Sequence, residues 1–237
     1  MKLVCDMHMH TLASGHAYGT IREMAQAAAE RGLEMIGVTE HGPYLPGTCS
    51  PLHFLNVAVV PETLYGVRVL HGCEANVLND GRLDLEDGWM KRLHYLIAGM
   101  HTPCFEDQGK EKNTDVLISC MKHEKVFFVS HPDDDRLPID YERFVEACRL
   151  YHVAPELNNS SIFKKDLRLN CMENLRTMLR LCSEMRVPII VDTDSHDPSQ
   201  VGDFELALAF MEEMNFDPEL VLNTSKEKVL AWIGVKA

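Results

Sequence analysis

The chain has 237 residues, of which 46% are hydrophobic and 25% are charged. This length suits one α/β barrel or two ordinary domains, and the hydrophobic fraction is sufficient for a sizeable core. The formal net charge of −13 argues against a nucleic-acid-binding surface, because phosphate backbones are bound by Lys and Arg. Nucleic acid is therefore excluded as an expected partner.

Membrane and export signals are not expected in this sequence. No hydrophobic run approaches the ~20 residues of a membrane-spanning helix, and the N-terminus does not show the hydrophobic region of a signal peptide. The eight cysteines form no CxxC pairs, and Cys5 and Cys73 fall inside predicted core strands. Reduced thiols fit this distribution better than a disulfide framework does. We expect a cytoplasmic protein that does not associate with membranes.

Strand-like and helix-like segments alternate along the whole chain. The first strand, at about 2–6, is followed by a helix that begins with a capping box of Thr20 and Glu23 and ends near Gly32. A later helix begins after Asn170 as its N-cap and ends before Pro188. Further strands are predicted at 34–39, 67–73, 95–100, 126–130, 152–157 and 187–192, and further helices at 114–123, 140–150, 203–214 and 225–233.

Such strict alternation predicts βα units around a parallel sheet. Seven strand candidates are too few for an eight-stranded barrel, so the predicted fold is α/β, a seven-stranded or distorted barrel in a single domain over residues 1–237. The loops at 42–53 and 102–113 are long and rich in Pro, Gly and charge. Because they follow strands that carry candidate site residues, we expect them to form the rim of the site.

Seven of the twelve histidines lie at or just beyond the ends of predicted strands. His8 and His10 are two residues apart, so on a strand both point to one side. A parallel barrel brings the C-terminal ends of its strands to one mouth, where imidazoles and carboxylates together form a metal site. Imidazoles with a few carboxylates suit Zn²⁺, and also Mn²⁺ or Fe²⁺. The pattern therefore predicts a hydrolytic metalloenzyme.

A set of short segments occurs in a fixed order along the chain. The segments are DMHMHT, SGH, TEHG, GCEAN, AGMH, SHP, ELNNSS and TDSHD. In their order and spacing they resemble the PHP superfamily, named for polymerase and histidinol phosphatase domains, and in particular its small stand-alone phosphatases. The resemblance covers essentially the whole chain. It implies a distorted (β/α)7 barrel with a metal site at the C-terminal ends of the strands.

The resemblance also implies a site for three metal ions, with zinc favoured. The positions of this chain that match the family's metal ligands are assigned to the three ions as follows. One metal would be held by His8, His10, Glu74 and Asp194. Glu74 would bridge to a second metal held by His101 and His131, and the third would be held by His16, His41 and His196. Two features depart from the family, namely Asp192 and the acidic stretch 133–135, and they affect substrate preference rather than metal binding.

Several further residues are candidates for supporting roles. Asp6, Glu40 and Asp192 could orient ligand imidazoles, since outer carboxylates commonly do so. His53, in a rim loop, is a candidate for substrate contact, and the polar run 156–161 is a candidate for binding phosphate or the ligands. His71, His94, His123 and His152 are expected to face solvent or make local hydrogen bonds.

The predicted function is hydrolysis of small-molecule phosphate monoesters, with inorganic phosphate as a product. Metal ions about 3.5–4 Å apart would share a hydroxide that attacks phosphorus. Glu74 and Asp194 are the predicted catalytic carboxylates. Asp194 is also a candidate proton donor to the leaving group. Histidinol phosphatase, phosphodiesterase or exonuclease activity and a non-catalytic metal-binding module are the alternatives. The sequence does not specify the alcohol of the substrate or the oligomeric state.

Overall fold

The computed structural model describes residues 1–236, and seven parallel strands in it form a nearly closed barrel. With one short antiparallel strand, β3, the described sheet has eight strands: β1 (Cys5–Met9), β2 (Met35–Val38), β3 (Thr63–Leu64), β4 (Val67–Asn76), β5 (Tyr95–Gly99), β6 (Val126–Val129), β7 (Ala154–Asn158) and β8 (Ile190–Asp192). Their order in the sheet is β1-β2-β4-β5-β6-β7-β8, and the short β3 pairs antiparallel with β4. This confirms the predicted seven-stranded α/β barrel.

Helices follow the strands around the barrel. They are α1 (Ile21–Glu30), α2 (Leu52–Asn56), α3 (Lys110–Cys120), α4 (Tyr141–Tyr151), α5 (Asn159–Phe163), α6 (Cys171–Met185), α7 (Glu205–Glu213) and α8 (Lys226–Trp232). The short elements α2, α5 and β3 lie in segments for which the sequence predicted no helix or strand. None of the helices within residues 1–236 combines the length and hydrophobicity needed to cross a membrane.

The two predicted N-caps differ in whether the side chain makes capping hydrogen bonds. At α1 the capping box is confirmed, because Glu23 N–H donates to Thr20 Oγ1 over 3.3 Å and Thr20 N–H donates to Glu23 Oε2 over 2.7 Å. At α6 Asn170 is the N-cap residue as predicted, but its side chain makes no capping hydrogen bond. Asn170 has φ 55° and its amide donates to Asp135 Oδ2 over 2.7 Å, so the side chain ties the helix start to the loop after β6.

A β-bulge in β1 decides which of its side chains face the interior. The pairing of β1 with β2 shifts register between Asp6 and Met9. Met7 packs in the hydrophobic cluster inside the barrel, whereas Met9 packs in the outer cluster against the helices. The extra residue lets Met7 fill the interior while His8 and His10 still point into the mouth, as bulges near active sites commonly do.

The barrel is closed between β1 and β8 mainly by side chains, and we call this junction the barrel seam. Met7 N–H donates to Asp192 Oδ1 over 2.6 Å, and Thr193 N–H donates to Asp6 Oδ1 over 3.1 Å. The buried Asn223 amide donates to the carbonyls of Cys5 and Val191. Because these groups satisfy two strand edges that do not form a continuous ladder, the seam depends on a few buried side chains.

We expect Asn223→Ala to destabilise the protein by about 3 kcal/mol, because it leaves buried carbonyls of both seam strands without donors, each costing about 1–3 kcal/mol. For a chain of this length that corresponds to a fall in Tm of roughly 6–12 °C. Thermal unfolding by circular dichroism measures it. The matched control is Asn56→Ala, at an exposed position on α2. Equal Tm values for the two variants would contradict the role assigned to Asn223.

Candidate metal centre

Nine imidazole and carboxylate side chains meet at the C-terminal mouth of the barrel. They are all the candidate ligands predicted from the sequence: His8, His10, His16, His41, Glu74, His101, His131, Asp194 and His196. They come from β1, β4 and the segments that follow β1, β2, β5, β6 and β8. The barrel therefore brings together residues that are up to 188 positions apart in the chain, from His8 to His196.

Glu74 lies at the centre of this group, and each of its two oxygens faces imidazole nitrogens. On one side, Oε1 lies 3.1 Å from His101 Nε2 and 3.0 Å from His131 Nε2. On the other, Oε2 lies 2.9 Å from His41 Nδ1 and 3.3 Å from His8 Nε2. A carboxylate placed in this way has one oxygen available for each of two neighbouring cations.

Asp194 forms the second centre of the group. Its Oδ1 lies 3.2 Å from His10 Nε2, 3.6 Å from His8 Nε2 and 3.5 Å from His196 Nδ1. His196 Nε2 in turn lies 3.1 Å from His16 Nε2. Three subsets have ligand atoms mutually within 4.8 Å, namely His8–His10–Asp194, His10–His41–His196 and His41–Glu74–His101. His41 thus lies between the Glu74 group and the His196 group.

The donor atoms are spaced as they would be around bound cations. Ligands about 2.0–2.1 Å from a tetrahedral metal are about 3.3 Å from one another, and the separations around Glu74 and Asp194 are 2.9–3.6 Å. Glu74 Oε2, His41 Nδ1 and His101 Nε2 are moreover buried without a hydrogen-bond partner. Since buried polar atoms are rarely left unpaired, these residues fit divalent cations.

The ionisation states of the two carboxylates also suit ligands. Burial by itself raises the pKa of Glu74, but the charges of His101, His8 and His41 outweigh burial and hold that pKa well below its usual range. The pKa of Asp194 is likewise lowered, because His8 and His10 outweigh the effect of burial. Both carboxyls are therefore ionised at neutral pH. An ionised Asp194 has no proton to give, so the structure does not support it as the proton donor to the leaving group.

The imidazoles divide into two classes. Burial lowers the pKa of His10, yet its contacts with Asp194 and Glu74 prevail and raise it to about 9. The pKa of His8 also rises well above its usual value, because Glu156 and Glu74 outweigh burial. Burial and the neighbouring His10 lower the pKa of His41 well below the usual value and that of His196 to about 4. His8 and His10 are thus the groups whose protonation competes with a cation at pH 7.

Outer residues orient several of these imidazoles. Glu156 accepts from His8 Nδ1 over 2.7 Å and, through its other oxygen, from His131 N–H over 2.7 Å. Asn76 Oδ1 accepts from His101 Nδ1 over 2.7 Å. Such bonds direct the opposite ring nitrogen at the metal. The sequence predicts a role for Glu156 only as the first residue of the polar run 156–161, and the structure places it in the middle of β7.

Of the three carboxylates predicted to orient ligands, only Glu40 acts on one. Ser14 Oγ donates to Glu40 Oε2 over 2.6 Å and lies 3.2 Å from His10 Nδ1, so Glu40 fixes His10 through Ser14. Asp6 accepts instead from Thr193 and Gly202, and Asp192 accepts from Met7 N–H. For Asp6 and Asp192 the prediction was wrong, because the bulge in β1 commits both carboxyls to the barrel seam.

The mouth opens into a cavity of about 490 Å³. Residues of both predicted rim loops line it, including Leu45 and Pro103. His53 does not line this cavity. It lies on α2 beside a separate cavity of about 320 Å³ that His71 and Glu40 also line, so the predicted substrate contact of His53 is not supported.

The acidic stretch after β6 forms ion pairs at the cavity wall. Asp133 is fully buried and its Oδ1 lies 3.0 Å from Arg168 Nη1. Asp134 accepts from Arg136 Nε over 2.8 Å. Both arginines line the cavity, and the side chain of Arg168 is 17% exposed whereas that of Arg136 is 55% exposed. Arg168 is a functional candidate that the sequence analysis did not identify, because it lies in a loop without a recognisable pattern.

Comparison with known proteins gives consistent results. The profile of the PHP domain family matches residues 6–160. A probable phosphatase of Acetivibrio thermocellus is 40% identical over 237 residues, covering 100% of this chain and 97% of that protein. A probable phosphatase of Clostridium novyi is 37% identical over 237 residues, with 100% and 96% covered.

Among solved structures, similarity extends over the whole barrel. The histidinol phosphate phosphatase of Lactococcus lactis, solved with zinc, L-histidinol and phosphate, has a TM-score of 0.63 at 16% identity, covering 92% of this chain and 95% of that one. At that identity the match bears on the fold. The family profile, the relatives and the barrel with its histidine-rich mouth lead to one conclusion: this chain belongs to the PHP family.

Proposed function

We propose that this PHP-family phosphatase hydrolyses small-molecule phosphate monoesters and uses three divalent cations, zinc first among them. The observation that carries the proposal is the grouping of seven imidazoles with the carboxylates of Glu74 and Asp194, with three of the donor atoms buried and unpartnered. We assign His8, His10, Glu74 and Asp194 to one cation. The bridging Glu74 with His101 and His131 is assigned to the second, and His16, His41 and His196 to the third.

The chain's own residues have separable tasks in this proposal. Cations held in the mouth would supply a hydroxide nucleophile near neutral pH and neutralise charge on the phosphoryl oxygens. Glu74 and Asp194 would hold neighbouring cations together, and Glu156 and Asn76 hold the imidazoles of His8 and His101 in position. A paired guanidinium at the cavity wall, that of Arg168, is suited to bind a phosphate oxygen, since Arg presents several N–H donors.

Metal content and turnover test the proposal together. Protein purified without chelator should contain about three divalent ions per chain and hydrolyse phosphate monoesters. Glu74→Gln keeps the shape of the side chain but removes the charge between the cations, so we expect lost metal and at least ~100-fold lower activity. Elemental analysis and a phosphate-release assay measure both. Glu124→Gln, at an exposed position, is the control.

Two results would contradict this assignment. At most one ion per chain after reconstitution would refute the three-cation site. Bound metal without turnover on any phosphate ester would favour a non-catalytic binding module.

Metal uptake should release protons. At pH 7 His10, with a pKa of about 9, is protonated, and a cation binds only its neutral form. His8 and His10 face each other with Nε2 atoms 3.1 Å apart, so protons on both are disfavoured and we expect at least one proton released per chain. Calorimetric zinc titration of metal-free protein in two buffers of different ionisation enthalpy measures it.

The direction in which the zinc affinity changes with pH follows from the raised pKa of His10. Since the pKa of His10 is raised, protonation opposes the cation more strongly as the pH falls below 9. The zinc affinity should rise by about tenfold per pH unit for each proton displaced between pH 6 and 8. Uptake at pH 7 without proton release would show that His10 is not a ligand.

Arg168→Met should raise the KM for phosphate monoesters by roughly 10–100-fold, because a hydrogen bond to a charged group contributes about 1.5–3 kcal/mol. Arg136→Met is the matched control, since Arg136 lines the same cavity with a more exposed side chain. Arg168→Lys keeps the charge beside Asp133 and should recover part of the loss. Steady-state kinetics on metal-quantified protein measure KM and kcat, and equal effects of Arg168→Met and Arg136→Met would contradict phosphate binding by Arg168.

A further inference from the structure

We propose that the alcohol half of the substrate is an uncharged, predominantly apolar group, which occupies the part of the mouth cavity beyond the metal ligands. This inference rests on the proposed phosphatase function and names the substrate class of that site. The cavity is continuous with the candidate metal centre, because His101, His131 and Asp194 line the same space. A phosphoryl group at the ligands would thus direct its ester oxygen, and the alcohol attached to it, into this space.

Hydrophobic side chains from α3, β6 and the segments after β2, β5 and β6 line the same cavity, and we call them the wall of the cavity. They are Leu45, Met100, Leu117, Val129, Leu137 and Ile139. Leu117 and Val129 are 1% exposed and belong to the outer core, so they support the wall, while the half-buried Leu45, Met100 and Leu137 present its surface. A volume of about 490 Å³ lies within the ~300–1,000 Å³ typical of small-molecule sites. An apolar alcohol would bury its surface against the wall without losing hydrogen bonds to water.

Apart from the candidate metal ligands, each acidic side chain that lines the cavity is paired with an arginine. Asp133 is bound by Arg168 Nη1 at 3.0 Å. Asp134 Oδ1 accepts from the N–H groups of Arg136 and Leu169 over 3.0 and 3.2 Å, while its Oδ2 accepts from the Arg136 guanidinium. Asp133 is fully buried, and Asp134 Oδ2 already accepts from Arg136, so neither carboxylate is open to a cationic alcohol. The cavity therefore discriminates against amino alcohols such as histidinol, and against polyols, whose hydroxyls would lose water for an apolar wall.

The test uses three substrates with the same reacting end, namely hexyl, 6-hydroxyhexyl and 6-aminohexyl phosphate. Their leaving alcohols have nearly the same pKa, so differences in kcat/KM among them arise from contacts in the cavity and not from leaving-group ability. We expect kcat/KM for hexyl phosphate to exceed that of either analogue by at least about tenfold, the scale on which buried polar groups change recognition. The corresponding non-hydrolysable phosphonates, titrated into zinc-loaded protein by calorimetry, should bind in the same order.

Two variants test whether the hydrophobic wall causes the preference for hexylphosphonate. Leu137→Asn should reduce the advantage of hexylphosphonate over 6-hydroxyhexylphosphonate at least fivefold. Leu150→Asn, the same substitution at a 71% exposed position on α4, should leave it unchanged. If folded Leu137→Asn keeps the full preference for hexylphosphonate, the hydrophobic wall does not cause that preference. If Leu137→Asn does not fold, the three substrates and their phosphonates on the wild-type protein decide the proposal.

The remaining outcomes separate the two proposals. Equal or tighter binding of 6-aminohexylphosphonate, or faster turnover of L-histidinol phosphate than of hexyl phosphate, would overturn the apolar alcohol while leaving the phosphatase intact. Phosphonates that bind in the expected order to a protein that hydrolyses no phosphate ester would refute the proposed function and not the preference of the cavity.

Discussion

The buried carboxylate of Glu74 is the constraint on which the mouth of this barrel depends. Removing an ion of this size from water costs several kcal/mol even after relaxation, and Glu74 is fully buried. The charge is retained because imidazoles surround both oxygens at 2.9–3.4 Å. Those imidazoles crowd nitrogen against nitrogen, as at His8 and His10, an arrangement that cations would relieve. Glu74 thus links the fold, the ionisation states and the proposed chemistry.

The barrel seam and the candidate metal centre are two consequences of one local irregularity. The bulge in β1 places Met7 inside the barrel, where its N–H is free to donate to Asp192. The same irregularity leaves Asp6 bound to Thr193, and only His8 and His10 reach the mouth. Closure of the barrel and presentation of the first two ligands therefore depend on the same few residues. We expect disruption of the seam to affect both stability and metal binding.

Different elements of the barrel line the polar and the apolar parts of the cavity. Strand ends supply the imidazoles and carboxylates, as in other parallel barrels, where the chemistry lies at this face. The segments that follow β2, β5 and β6 supply Leu45, Met100 and Leu137. Of the acidic residues after β6, Asp133 and Asp134 line the cavity, and Arg168 and Arg136 pair with them. The substrate preference we infer follows from this pairing as much as from the hydrophobic wall.

The sequence by itself determined the alternation of strands and helices, the number of parallel strands and the set of nine candidate ligands. It did so because buried strands, capping boxes and histidines at strand ends are local patterns, and a parallel barrel gathers strand ends at one mouth. The tertiary structure alone decided the roles of Asp6 and Asp192, since one extra residue in β1 reverses the expected alternation of faces. It also decided that Glu156 orients His8, that Asn223 closes the seam and that Arg168 pairs with Asp133. Those contacts join residues 32 to 218 positions apart, for which no local pattern specifies a partner.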